Sequence, residues 1–174
     1  SVYIGNTVDC DVFQFNRDFQ DNFGVVQMVS SRIEGKKGVL PVAQACKNLG
    51  YKLLLIGSIS KRDYFDEVMK TGVVEFREKV SEEDLVKSYY ESAIHVCNSV
   101  DSFESGPNPV LEAMNCGTPV LTRDVGHIHE LNNGKNMVVR KGQPEDLENL
   151  EKELKSLMEN VEKRKKMRES GHHL

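Results

Sequence analysis

The feature that most constrains this chain is its alternation of short apolar runs with amphipathic ones. The apolar runs cover residues 25–30 (VVQMVS), 52–57 (KLLLIG), 73–77 (VVEFR), 93–98 (AIHVCN), 119–122 (PVLT) and 136–139 (NMVV). Helical patterns lie between and after them, over 39–49, 62–70, 82–90, 109–116 and 127–131, then from 145 to about 169. Strands that read as continuous apolar runs, separated by helices, belong to a parallel sheet covered on both faces. The expected fold is therefore α/β: a Rossmann-like, doubly wound parallel sheet with right-handed crossovers. Such sheets bind ligands beyond the carboxyl ends of their strands, at the point where the winding reverses.

At 174 residues the chain is long enough for one domain with a sizeable core. A net charge of −4 gives no dominant basic face, so a nucleic-acid partner is not expected. No apolar run approaches the roughly 18 residues of a membrane helix. The opening Ser1-Val2-Tyr3-Ile4-Gly5 lacks the basic start and apolar stretch of a signal peptide. Cys10, Cys46, Cys97 and Cys116 are widely spaced and form no CxxC pair, which reads as reduced residues of a cytoplasmic protein that fill core or line the site. The chain opens without Met inside an extended segment and stops just after a helical run, so we read it as one domain of a longer protein.

The final helical run carries leucines at helical spacing (Leu147, Leu150, Leu154, Leu157) and predicts one long amphipathic surface helix. Its basic tip, Lys163-Arg164-Lys165-Lys166, reads as a solvated face, with peripheral contact to a membrane surface or an acidic partner as the alternative.

In a doubly wound sheet the strand-to-helix loops share one edge, and the polar motifs fall in those loops. After the first strand, Arg32 and Lys37 flank Gly35 and Gly38 in Ser31-Arg32-Ile33-Glu34-Gly35-Lys36-Lys37-Gly38. An arginine fork and a lysine charge suit phosphate oxygens, and glycines let backbone approach a ligand closely. In isolation, solubility charges in a loop explain these residues equally well. After the fourth strand comes ESGPNPVLEAMNCGTPVL, from Glu104 to Leu121. Asn108 and Pro109 read as an N-cap and a first helical position, Gly117 and Pro119 as the stop. Pro107 and Pro109 keep Glu104 in the loop and leave Glu112 in the helix. The two carboxylates then flank an anion-favouring helix end, and as acceptors they suit paired hydroxyls.

This stretch resembles the E-x7-E signature of retaining glycosyltransferases with the GT-B fold, family 4, whose usual form is EGxPNxxLEAMACGxPVV. The resemblance extends along nearly the whole chain. GNTVDCDVF resembles N-G-V-D-x-x-x-F, SRIEGKKG resembles G-R-L-x-x-x-K-G, VSEEDLVKSYYESA resembles V-S-x-x-E-L-x-x-x-Y-x-x-A, and TRDVGHIHEL resembles T-D-V-G-G-I-P-E-L. It implies the C-terminal, donor-binding half of such an enzyme, with a nucleotide-diphosphate sugar (UDP-, GDP- or ADP-linked) as donor and a glycan or lipid as acceptor. The acceptor would bind an N-terminal domain outside this chain, so the isolated chain is expected to bind nucleotide and to turn over poorly or not at all.

By position, the resemblance assigns Arg32 and Lys37 to the diphosphate, Glu104 to hydroxyls of the transferred sugar, and Glu112 to ribose hydroxyls. Backbone at Gly106, Pro107 and Asn108 would hold the distal phosphate, and backbone from Arg77 to Val80 would lie near the base. No metal or other cofactor is implied. The sequence departs from the family pattern at Ser31, Glu78, Ile94, Asn98, His127 and His129. His127 is read either as a cation beside the donor phosphate or as a surface or helix-capping residue. His95, inside a strand, is read as a buried, hydrogen-bonded core residue. Two other readings stay open: a GT-B epimerase or phosphorylase-like enzyme, and a non-catalytic nucleotide-sugar-binding domain.

Overall fold

Each apolar run becomes a strand and each amphipathic run a helix. The computed structural model describes residues 8–100 and 108–171. The strands are β1 (Val25–Ile33), β2 (Lys52–Ile59), β3 (Val74–Arg77), β4 (Ile94–Cys97), β5 (Val120–Arg123) and β6 (Met137–Arg140). The helices are α1 (Val39–Leu49), α2 (Arg62–Met69), α3 (Glu82–Tyr90), α4 (Asn108–Cys116), α5 (Ile128–Leu131), α6 (Leu147–Glu159) and α7 (Val161–Gly171). A 3-10 turn, Gly35–Lys37, precedes α1. The strands form one sheet in the order β3-β2-β1-β4-β5-β6, parallel throughout. The winding runs outward from β1 to β3, then reverses between β1 and β4, as a doubly wound sheet requires.

Successive strand residues point to opposite faces, which divides the core in two. Val26, Met28, Leu53, Leu55, Ile94 and Val96 pack with α1, α2 and α6. Val29, Cys97 and Val120 pack with Phe13 and with residues of α3, α4 and α5. In the central strands Gln27 and His95 break the apolar pattern, both buried and paired in register. His95 is the hydrogen-bonded core residue expected of it: its Nδ1 lies 3.1 Å from Gln27 Oε1.

Four expectations are corrected. The single terminal helix is two, because Asn160 leaves helical geometry (φ −102°, ψ 83°) and its Oδ1 accepts the Lys163 N–H at 2.9 Å, capping α7. Arg164 is not part of a solvated basic face. It is 1% exposed, and its guanidinium folds back to donate to the carbonyls of Leu157 and Met158 and to Asp21. Lys163, Lys165 and Lys166 are exposed.

The first strand is also longer than its apolar run. It continues through Ser31 and Arg32 to Ile33 across an irregularity in its pairing with β2, where the Ser30 hydroxyl donates to the Arg32 carbonyl at 2.7 Å. Of the cysteines, Cys46, Cys97 and Cys116 are buried and Cys10 is exposed, so Cys10 fills no core. No helix among the described residues is long and apolar enough to cross a membrane.

Candidate functional site

The reversal of winding leaves a crevice between the carboxyl ends of β1 and β4. A cavity of about 400 Å³ occupies it, with Ser31, Lys37, Asn98, Asn108, Pro109 and Glu112 in its wall. A larger concavity of about 1100 Å³ lies between β6 and α7, lined by Lys135, Lys163 and Lys166 among others. It sits away from the loops that carry the sequence motifs, so the smaller cavity is the candidate site.

Its first wall is the turn that leads into α1. Gly38 sits in the left-handed region (φ 62°), and a Cβ there would come within 2.3 Å of the Asn98 carbonyl oxygen. Only glycine lets this turn press against the end of β4. Asn98 secures the junction: its Nδ2 donates to the Gly38 carbonyl at 3.0 Å and to the Pro144 carbonyl at 3.1 Å. Its Oδ1 accepts from Arg140 Nη1 at 2.7 Å. The Val100 N–H donates to the Lys36 carbonyl at 2.9 Å, a second tie between the two loops. Lys37 is thereby held in the cavity wall.

The opposite wall is α4. Asn108 and Glu112 stand four residues apart and so share one helical face, which they turn to the cavity. Glu112 Oε2 accepts a hydrogen bond from the Tyr89 hydroxyl at 2.6 Å. Burial pushes the Glu112 carboxyl above its ordinary pKa, the Tyr89 bond pulls it back, and Glu82 raises it further. Burial raises the Tyr89 phenol strongly, with the neighbouring carboxylate adding to it, so the phenol keeps its proton and donates.

The floor is polar where a parallel sheet is ordinarily apolar. His95 lines the cavity, and burial lowers its pKa to about 3, so it is neutral. An amide oxygen only accepts, so the imidazole proton sits on Nδ1 toward Gln27 Oε1. Gln27 Nε2 in turn donates to Ser88 Oγ at 2.6 Å.

Behind the cavity, two arginines end neighbouring strands in register, Arg123 on β5 and Arg140 on β6, both buried. Arg123 donates to the carbonyls of Gly142 (2.9 Å) and Ser99 (2.7 Å). Arg140 donates to Asn98, to Asn149 Oδ1 and to the carbonyls of Gln143 and Asp146. Its pKa is lowered by burial first and by Arg123 second. The two guanidiniums fasten the segments after β4 and β6 to one another.

The residues singled out in the sequence divide three ways. Lys37, Asn108 and Glu112 are brought together in one cavity. Arg32 stands at the end of β1 with its side chain 61% exposed and its Nε 3.8 Å from Glu34, outside the cavity wall. His127 occupies the N-cap position of α5, where its Nδ1 lies 3.2 Å from Glu130 Oε1. The Arg77 side chain, on the outermost strand, pairs with Glu75 of that strand (2.7 Å) and with Glu91 at the end of α3 (3.5 Å), and neither Arg77 nor Val80 lines the cavity. Glu104, Gly106 and Pro107 lie outside the described residues. Sequence reasoning missed Tyr89, Asn98, Arg123 and Arg140 as builders of the site. The available signal was an arginine ending each of two successive apolar runs, Arg123 and Arg140. Among the described residues no group of three His, Cys, Asp or Glu side chains is arranged to hold a metal ion.

A parallel sheet wound in this order, with helices on both faces and a crevice at its reversal, defines a Rossmann-like α/β domain. The model of the family described as Glycosyl transferases group 1 matches residues 14–174, and the chain belongs to that family. Solved structures share the fold. A glycosyltransferase from Rickettsia africae ESF-5 superposes with a TM-score of 0.83 at 20% identity, over 99% of this chain and 51% of that one. The C-terminal domain of the glycosyl transferase group 1 family protein LpcC from Francisella tularensis superposes at 0.77 and 20% identity, over 96% of this chain and 95% of that one. The Anabaena protein Alr3699/HepE, solved in complex with UDP-glucose, superposes at 0.77 and 19% identity, over 97% of this chain and 50% of that one. The chain thus spans about half the length of the first and third, and nearly all of the isolated C-terminal domain. No curated protein matches it in sequence.

Proposed function

We propose that this chain is the donor-binding domain of a retaining glycosyltransferase, which transfers a sugar from a nucleotide-diphosphate sugar to a glycan or lipid acceptor. The observation that carries the reading is the single cavity at the β1–β4 reversal that unites Lys37, Asn108 and Glu112. Lys37 and the first turn of α4 supply positive charge for a diphosphate, the group on which negative charge grows as the sugar leaves. Glu112, an acceptor on the same wall, suits the ribose hydroxyls. Arg32 serves the diphosphate from the rim, and Glu104 orients the transferred sugar. Retention follows from front-face attack, so no protein nucleophile is named. The complex of the Anabaena protein with UDP-glucose favours a uridine nucleotide as the first donor to try. The acceptor site belongs to an N-terminal domain, so the isolated chain binds nucleotide but does not turn over at an enzyme's rate. The setting of this reading is cytoplasmic, with peripheral membrane contact as the alternative.

Calorimetric titration with UDP, GDP and ADP tests the reading. One of them is expected to bind, and Glu112→Ala is expected to lose about 1.5–3 kcal/mol of that affinity, the worth of a hydrogen bond to a charged group. Binding of none, or equal binding by Glu112→Ala, contradicts it. Transfer at an enzyme's rate by the chain alone contradicts the domain assignment.

A further inference from the structure

Glu112 is already in contact with protein on one of its two oxygens. Tyr89, near the end of α3, is fully buried, and its hydroxyl donates to Glu112 Oε2 at 2.6 Å across 23 residues of sequence. Tyr89 is itself fixed by two ring contacts and one backbone bond. Its ring meets Phe13 edge-on at 6.2 Å between centroids and His95 at 5.6 Å, and its carbonyl accepts the Thr118 hydroxyl at 2.8 Å. A glutamate has three rotatable bonds, and in an open cavity wall its carboxylate samples several directions. A donor on a rigid, buried ring selects one of them. Among the described residues, Oε1 and one lone pair of Oε2 then remain for a ligand, in a plane set before the ligand arrives.

We propose that Tyr89 is a positioning residue: its hydroxyl holds Glu112 Oε2, so that the carboxylate presents its other acceptor sites to the vicinal diol of a ribose. This rests on the reading of Glu112 as the ribose contact. The pairing also answers why a phenol is buried beside the cavity at all. A phenylalanine would fill the same space between Phe13 and His95, whereas among the described residues the hydroxyl bonds to Glu112. That bond also opposes the burial that disfavours the carboxylate's charge.

The test is calorimetric titration of the chain with UDP, GDP and ADP and with the 2′,3′-dideoxy form of each. The wild-type chain is expected to prefer one ribonucleotide over its dideoxy form by about tenfold or more. In Tyr89→Phe the ribonucleotide weakens by about tenfold while the dideoxy form is nearly unchanged, so the preference collapses. Replacing Tyr89 by 4-aminophenylalanine, which keeps a donor at the same place, restores it. In a Glu112→Gln background the Tyr89→Phe substitution adds little, because the two act through one contact. A melting curve reports whether each variant folds. Should Tyr89→Phe not fold, 4-fluorophenylalanine fills the hydroxyl's space without donating and takes its place.

A preference that survives loss of the Tyr89 donor but disappears in Glu112→Ala overturns the role of Tyr89 alone. No binding, no preference in the wild type, or a preference that survives Glu112→Ala overturns the ribose reading of Glu112 and the role of Tyr89 with it.

Discussion

Helices α1 and α4 begin at the same edge of the sheet, on either side of the β1–β4 crevice, yet their first turns serve different purposes. Both have the dipole that favours anions at a helix start. In α1 the Leu40 N–H already donates to the Tyr64 hydroxyl at 2.8 Å, Pro41 offers no N–H, and Gly38 is pressed against Asn98. In α4 the first-turn residues Asn108 and Pro109, with Glu112 one turn on, form the cavity wall. A helix start becomes a binding site only where the surrounding side chains leave it facing a cavity; at α1 they have closed it into the structure.

Substitutions that exchange these roles give the largest effects. Gly38→Ala forces a Cβ into the left-handed region and against the Asn98 carbonyl, which does not yield as a flexible side chain would. A loss of about 3 kcal/mol in urea unfolding is expected, with loss of nucleotide binding as the α1 junction shifts. A loss under about 1 kcal/mol would mean the junction is softer than its packing indicates.

Arg140→Leu comes next. It leaves buried Asn98 Oδ1 without the Arg140 donor, while the carbonyls of Gln143 and Asp146 keep the N–H groups of Asp146 and Leu150, at a cost of about 1–3 kcal/mol by the same measurement. Arg140→Lys should recover only part, since one ammonium cannot span those acceptors.

The polar floor beside α3 and α4 is expected to answer to pH. The His95 pKa falls from 6.5 unfolded to about 3 folded. Between those values the unfolded chain holds a proton that the folded one does not. Stability is therefore lost as pH falls through that window, by about 1.4 kcal/mol per pH unit from this residue. Comparing unfolding free energies of the wild type and His95→Leu at several pH values isolates the contribution; parallel pH profiles would remove His95 as its source.

Tyr64→Phe is the smallest change and the sharpest for the comparison. It uncaps Leu40 and is expected to cost about 1 kcal/mol with nucleotide affinity unchanged. A tenfold gain in affinity for inorganic pyrophosphate would instead reveal α1 as a second anion site and break the contrast drawn here.

How far the sequence reached follows from what each residue's role depends on. Central strands buried on both faces read as apolar runs, and the short edge strands β3 and β6 kept enough apolar residues to be legible with them. Helices α1 and α3 span the very residues their periodicity predicts, 39–49 and 82–90. Asn160 was missed because one asparagine does not disturb the helical period of a run rich in Glu and Lys. It acts as a break through its own cap and through Arg164 turning back onto α6. Within the site, Lys37, Asn108 and Glu112 were legible from local motifs. Tyr89 with Glu112, and Asn98 with Gly38 and Arg140, were not, because each pairing joins elements far apart in sequence. Arg32, at the irregular end of β1, lies beside Glu34, a placement that its local motif does not specify.

The most direct measurement maps where a nucleotide lands. Backbone amide resonances of the isotopically labelled chain, followed through titration with UDP, GDP and ADP in turn, are predicted to shift at Lys37, Asn98, Asn108 and Glu112 and to stay in place at Leu40. Shifts centred on Lys135, Lys163 and Lys166 in the β6–α7 groove, or no shifts with any of the three, would contradict a donor site at the β1–β4 reversal.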